Sequence, residues 1–393
     1  MNDFIEPSDD LSAGGLVVDL PHRDLVLRRL HETARPLVRV GQVAQHNGLD
    51  LCRIGLESVS ADGDISDLGS DAILAVLDDL RRGFAAQFDG WAPEMEADPE
   101  VTGIVGFLHT KPMSLTTELR TARGAGFTAM AAPDAGAGVR VAVLDVGLVK
   151  HPDLTNVSAA ADGLVSAAPP LEPWMGHGTF VAGLIAQRAP ACDIVVHKVL
   201  NLRGKATTWH TAVALADLAM PTDSERPYDI VNLSLGCRIG GPSGPLALRR
   251  AVQLHAGRRL LVAAAGNHGF TPRPATPVWP AAFPGVAAVG ATHVDSTGTA
   301  VLSDITPRLP WVDYLALGSG VTSTFLPDTL TDGVDYDGFA TWSGTSFAAA
   351  NLSGAVAAEL SKGGTPFAAL DRVLRNPGYG VTRFDWRATD HAK

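Results

Sequence analysis

The 393-residue sequence is poor in cysteine, in basic charge and in long apolar runs. Its three cysteines, Cys52, Cys192 and Cys237, are odd in number and far apart. That spacing excludes a disulfide framework and any C-x-x-C metal pattern, and the plain reading is three reduced, near-apolar thiols. Lys and Arg number 31 against 42 Asp and Glu, for a formal net charge of −11. No basic stripe is available to neutralise phosphates or an anionic bilayer, so nucleic-acid and membrane-surface functions are set aside. The longest apolar runs, such as Leu260–Ala265, fall far below the roughly 18 residues that span a bilayer. Met1 to Gly15 is acidic and polar, without the basic start and apolar stretch of a secretory signal. A soluble, cytoplasmic protein is the expectation.

What the chain does have is 46% hydrophobic residues with 41 Gly and 26 Pro, a globular composition long enough for two domains. Charge divides it. Residues 1–137 hold 11 Lys and Arg against 22 Asp and Glu, whereas residues 138–393 hold 20 of each. Residues 1–15 read as a disordered acidic start and residues 16–130 as a small α+β domain. In that domain Leu16–Leu20, Leu49–Leu56 and Gly103–Leu108 are strand candidates. His22–Arg35 is a helix candidate, and Asp71–Phe88 places Ile73, Val76, Leu77, Leu80 and Phe84 on one helical face. Residues 131–138, AAPDAGAG, have linker chemistry.

From Val139 to the end, continuous apolar strands alternate with small-residue helices, the pattern of a parallel sheet covered on both faces. Ligands of such sheets bind beyond the carboxyl ends of the strands. There the sequence places Asp145, after the strand Val139–Leu144, and Asn267, after the buried run ending at Ala265. His177 lies in Gly176-His177-Gly178-Thr179 before a helix, and Ser346 in Ser343-Gly344-Thr345-Ser346 at the start of an alanine-rich helix. Singly, each has an ordinary reading as turn former, helix cap or structural histidine. Together their roles interlock. Asp145 orients His177, His177 takes the proton of Ser346, and Asn267 with the Ser346 N–H holds an oxyanion.

The chain order Asp, His, Ser is that of subtilisin, and the surrounding residues extend the likeness. VAVLDVG around Asp145, GHGTFVAGLIA around His177, VNLSLG at Val231–Gly236, VAAAGN ending at Asn267 and SGTSFAAA around Ser346 resemble the catalytic domain of a subtilisin-like (subtilase, S8-type) serine protease. The resemblance covers somewhat over half the chain. It implies an α/β fold, a subtilisin-like parallel sheet flanked by helices in residues 139–393, with the smaller α+β domain before it. It implies a serine endopeptidase using Asp145, His177 and Ser346 through an acyl-enzyme, with Asn267 and Ser346 forming the oxyanion hole. A polypeptide substrate would lie as an added strand against Ser234, Leu235 and Gly236 and the segment after Leu200. The side chain before the cleaved bond would enter a pocket walled by Ala264, Ala265 and Gly266 and by the Val278-Trp279-Pro280 region. No acid lines those walls, which favours an uncharged residue. A dedicated processing protease or ligase and a silent peptide-binding pseudoprotease are the rival readings.

Val146, Phe180 and Ala350 depart from the commoner residues of the pattern, and none removes a reacting group. Cys237 adjoins the groove and reads as a buried thiol. Asp332, Asp335 and Asp337 lack the ligand pattern of an EF-hand. Gly124 to Ala129 fits a loose G-x-G-x-x-A without the strand and helix a dinucleotide site needs. No cofactor is required; a structural calcium is compatible with the scaffold, but nothing in the sequence supports one. The small domain is expected to be either an intramolecular inhibitor, like the pro-domains of secreted subtilases, or a regulatory domain whose acidic face binds a basic partner.

Overall fold

A computed structural model of the chain describes residues 14–32, 38–60, 64–103, 119–161, 163–166, 172–220, 226–238, 243–269, 276–327, 329–331 and 334–387. The small unit is an antiparallel sheet in the order Val38–His46, Leu51–Val59, Gly15–Asp19, Met95–Ala97, with Ile65–Asp67 paired to Leu51–Val59. Two helices accompany it, α1 (Arg23–Glu32) and α2 (Ser70–Gln87). The five apolar residues spaced along α2 are its buried ones, and they meet Leu16, Val18, Cys52, Ile54 and Leu56 in one core.

Val38–His46 is a strand that composition alone did not disclose. Its alternation is broken by a register shift between Val40 and Val43, and most of its residues keep some exposure. Of the expected strand Gly103–Leu108, the structure has Glu100–Gly103; the remainder lies outside the described residues.

The strand Gly15–Asp19 reads GLVVD because both of its faces are covered. Side chains alternate across a strand, so Leu16 and Val18 enter the small unit's core while Val17 points away, joining Leu49 and Leu51 in a second core that belongs to the larger unit. Each of these three is at most 2% exposed, a gain of roughly 1.5–3 kcal/mol apiece in burial.

The larger unit is built on a nine-stranded sheet. Seven of its strands run parallel, in the order Tyr314–Leu317, Val286–Val294, Leu260–Ala264, Ile230–Leu233, Arg140–Asp145, Asp193–Lys198, Val157–Ala159. Thr382–Arg383 and Ala300–Leu302 add antiparallel edges. Alternate residues of the central strands go to opposite cores. Val141 and Val143 meet α3 (His177–Arg188), α6 (Thr345–Leu360) and α7 (Pro366–Arg375). Ala142 and Leu144 meet α4 (Thr208–Ala219) and α5 (Leu246–Leu254). Burial on both faces is why these strands are uninterrupted apolar runs. All sixteen residues of α6 are buried, so its small side chains reflect enclosure on every side rather than an exposed face. Among the described residues, no helix is long and apolar enough to cross a membrane.

Some acidic residues of the first third meet the larger unit. Asp98 accepts from Thr208 Oγ1 and the Trp209 N–H at the start of α4, both at 2.9 Å, and pairs with Arg53. Glu96 accepts from the Ala247 N–H at the start of α5 at 3.4 Å. Carboxylates there satisfy unpaired helix N–H groups and complement the helix dipole. Arg250 of α5 reaches back to Asp19, Glu94 and the carbonyls of Leu49 and Asp50.

Residues 131–138 form turns on the larger unit. The Ala191 N–H donates to Ala135 O, and the Gly136 N–H donates to Ser361 Oγ. The chain has already joined that unit at Arg120–Thr121, which pairs with Phe339–Trp342. The small residues of this stretch therefore serve tight packing, whereas linker chemistry was the reading from composition.

Candidate active site

Asp145 ends the strand Arg140–Asp145, and His177 is the first residue of α3. The two are brought together by a close backbone approach at Gly178, where an added Cβ would lie 2.2 Å from Gly147 O; only glycine fits there. His177 Nδ1 faces both carboxylate oxygens of Asp145 at 2.8 Å, and Asp145 Oδ1 also accepts the Val146 N–H at 2.8 Å. Both side chains are fully buried. A buried carboxylate facing Nδ1 requires the proton on that nitrogen, which leaves the lone pair on Nε2. His177 Nε2 is buried and makes no hydrogen bond among the described residues.

Ser346 is the second residue of α6, whose N-cap residue, Gly344, supplies no side-chain cap. Its Oγ donates to Ser234 O at 3.2 Å, and Ser234 Oγ returns a bond to Ser346 O at 3.0 Å. Beneath them Asn232 donates to Ser234 Oγ and accepts from Ser353 Oγ. This closed set of polar bonds in a buried setting fixes α6 against the strand Ile230–Leu233 and sets the position of the serine. The hydroxyl thus faces Ser234 rather than His177, in keeping with the looser catalytic bonds of resting sites.

Asn267 Oδ1 accepts from both the N–H and the Oγ1 of Thr345 at 2.9 Å, and Thr345 Oγ1 accepts the Gly266 N–H at 3.1 Å. With its oxygen so held, the amide presents Nδ2 toward the turn at Gly344, next to the nucleophile helix. Such an arrangement supplies a nucleophile, a base with an ordered tautomer and a fixed amide donor. Thr345 lay within the quoted motif, yet its part in holding Asn267 is visible only in three dimensions.

Sequence reasoning also missed the aromatic surround of His177. Trp174, Trp342 and Phe347 place their ring centroids 5.6–5.7 Å from the imidazole. Nothing in residue type separated these rings from ordinary core aromatics.

The groove residues expected to meet a peptide are occupied by this same chain. Glu100–Gly103 runs antiparallel between Lys205–Thr207 and Leu235–Gly236, with Gly103 opposite Leu235 and Thr102 opposite Gly236. The pocket walls also come together: Ala264 and Val278, both fully buried, touch each other apart from the main cores, and Ala265 is buried beside them in sequence. Gly266 lies against Val278 and His268, and burial pushes the His268 imidazole down to about 4. Cys237 is buried, pairs its backbone with Trp279, and has its thiol pushed up by burial, the state of an inert thiol. Asp337 accepts the Gly124 N–H at 3.2 Å, while Asp332 and the side chain of Asp335 lie outside the described residues. Among the described residues, no helix directly follows Gly124. Among the described residues, no cluster of His, Cys, Asp or Glu is suited to a metal ion.

The model of the Subtilase family matches residues 136–367. The chain belongs to the subtilase family of S8 serine peptidases. Relatives within the subtilases include subtilisin DY of Bacillus licheniformis, 35% identical over 239 residues, which are 58% of this chain and 78% of that protein. Subtilisin NAT of Bacillus subtilis subsp. natto is 33% identical over 239 residues, 58% of this chain and 56% of its own length. Alkaline elastase YaB of Bacillus sp. (strain YaB) is 32% identical over 283 residues, 70% of this chain and 65% of that protein. The chain thus spans little more than half the length of subtilisin NAT.

Proposed function

We propose that this subtilase is a serine endopeptidase acting through Asp145, His177 and Ser346, held latent by its own residues 14–103. His177 Nε2 takes the Ser346 proton as Oγ attacks the carbonyl, and Asp145 stabilises the imidazolium that forms. Asn267 Nδ2 and the Ser346 N–H hold the oxyanion; His177 then returns the proton to the leaving amine. Water repeats the sequence on the acyl-enzyme.

The observation that carries the reading is the strand Glu100–Gly103. It adds to Leu235–Gly236 as an extended peptide adds to a sheet edge, one residue from the Ser234 carbonyl that receives the Ser346 hydroxyl. A groove that takes this strand takes a substrate peptide in the same register. Asp145, His177 and Ser346 are fully buried in the chain with this strand in place, the state a latent site would have. The boundary of the inhibitory unit accordingly falls after Gly103.

An ester substrate with a chromogenic leaving group tests the chemistry. The expected result is slow product release from the intact chain, abolished by Ser346→Ala. Linear product formation that survives Ser346→Ala would contradict the proposal.

A further inference from the structure

We infer that Trp174 makes the groove selective for glycine at the second residue before the cleaved bond. The inference rests on the peptidase reading for the word "cleaved"; the selection itself is a property of the groove. Its register comes from the chain's own strand. Gly103 lies opposite Leu235 and donates its N–H to Gly204 O at 3.0 Å. A peptide continuing in that antiparallel register would set its next residue opposite Ser234, whose carbonyl receives the Ser346 hydroxyl at 3.2 Å. That next residue offers the carbonyl within reach of the nucleophile, so the residue opposite Leu235 is second from the bond.

At this second position there is no room for a side chain. A Cβ on Gly103 would stand 2.7 Å from Trp174 Cζ3 and 3.2 Å from Cη2, with Leu200 Cδ1 at 3.6 Å. Carbon atoms make favourable contact at about 3.5–4.0 Å, so the first two distances are overlaps. Retreat is blocked. The same indole lies on the backbone of Gly204, where an added Cβ would fall 2.9 Å from Cε3 and 3.1 Å from Cδ2. Trp174 is 6% exposed and its ring is 5.7 Å from that of His177. It belongs to the single tight turn Pro173–Gly176, which itself packs against Phe325. The indole is therefore a buried plate laid across Gly204 and whatever strand pairs with it in the groove, and the strand that does so carries glycine there.

The test is hydrogen exchange by mass spectrometry on the full-length chain carrying Ser346→Ala, which removes self-cleavage from the comparison. Alanine suits a strand better than glycine, so local propensity predicts that Gly103→Ala tightens the strand. Overlap with Trp174 predicts the opposite, with exchange at residues 100–103 and 205–207 faster by on the order of tenfold or more. Adding Trp174→Ala, or Trp174→Leu where the smaller residue loosens the turn, should return exchange toward the parent rate. Unchanged protection in Gly103→Ala overturns the inference, as does deprotection that neither Trp174 variant reverses. A fluorophosphonate reacting with Ser346 in the otherwise native chain reports the peptidase reading separately. Its failure alongside the expected exchange pattern would remove that reading and leave glycine selection standing.

Discussion

Arg250→Ala should release the small unit from the groove. The Arg250 guanidinium donates from Nη1 to Leu49 O at 3.1 Å and Asp50 O at 2.8 Å, and from Nη2 to Glu94 Oε2 at 2.9 Å and to Asp19. Charge-assisted bonds are worth about 1.5–3 kcal/mol each when well placed. Here the side chain is 21% exposed and Glu94 45%, so screening lowers the ionic part, and four bonds from one group do not add. A loss of about 3 kcal/mol is the balance, equivalent to on the order of a hundredfold in the docking equilibrium. If reaction at Ser346 requires undocking, the rate of fluorophosphonate labelling of the intact chain rises by up to that factor. Arg250→Lys, which keeps the charge but loses the fork, should fall between. High salt should speed the wild type more than Arg250→Ala, because it screens the contact the variant lacks. A folded Arg250→Ala chain labelled at the wild-type rate would refute the docking account.

Two further predictions concern the site and the scaffold. Asn267→Leu should lower kcat by on the order of 10²–10³ with little change in KM, as removal of one oxyanion donor does; an equal rise in KM at constant kcat would assign Asn267 to substrate binding instead. Burial pushes His255 down to about 4, and its Nε2 bonds Leu215 O at 2.8 Å within the α4–α5 packing. Its folded value lies below its unfolded one, so its contribution is complete above about 6.5 and is lost as pH falls through 4, by up to about 3 kcal/mol. Urea midpoints of wild type and His255→Gln should therefore have different pH slopes between those values, and parallel slopes would show that His255 is not buried as a neutral ring.

The parallel sheet was legible because continuous apolar strands such as Leu260–Ala264 have no other home than a core on both faces. Asp145, His177, Asn267 and Ser346 were legible because each sits in a short contiguous motif at a strand or helix end. Trp174 and the strand Glu100–Gly103 were not. Trp174 belongs to the site only because the paired backbones of Gly103 and Gly204 lie against its ring, and Gly103 is placed by a pairing with Leu235 across more than a hundred residues of chain. The contacts of three first-third acids were not legible from charge counts. Glu94, Glu96 and Asp98 face Arg249, Arg250 and the starts of α4 and α5. Composition records how many charges there are, while fold decides whom they meet.

Intact mass after treatment with a fluorophosphonate, on wild type, Ser346→Ala and Arg250→Ala in parallel, tests the central claim most directly. The account predicts one adduct per chain, slow in wild type, fast in Arg250→Ala and absent in Ser346→Ala. An adduct that persists in Ser346→Ala, or none in a folded Arg250→Ala chain, would contradict an activated serine beneath an intramolecular inhibitor.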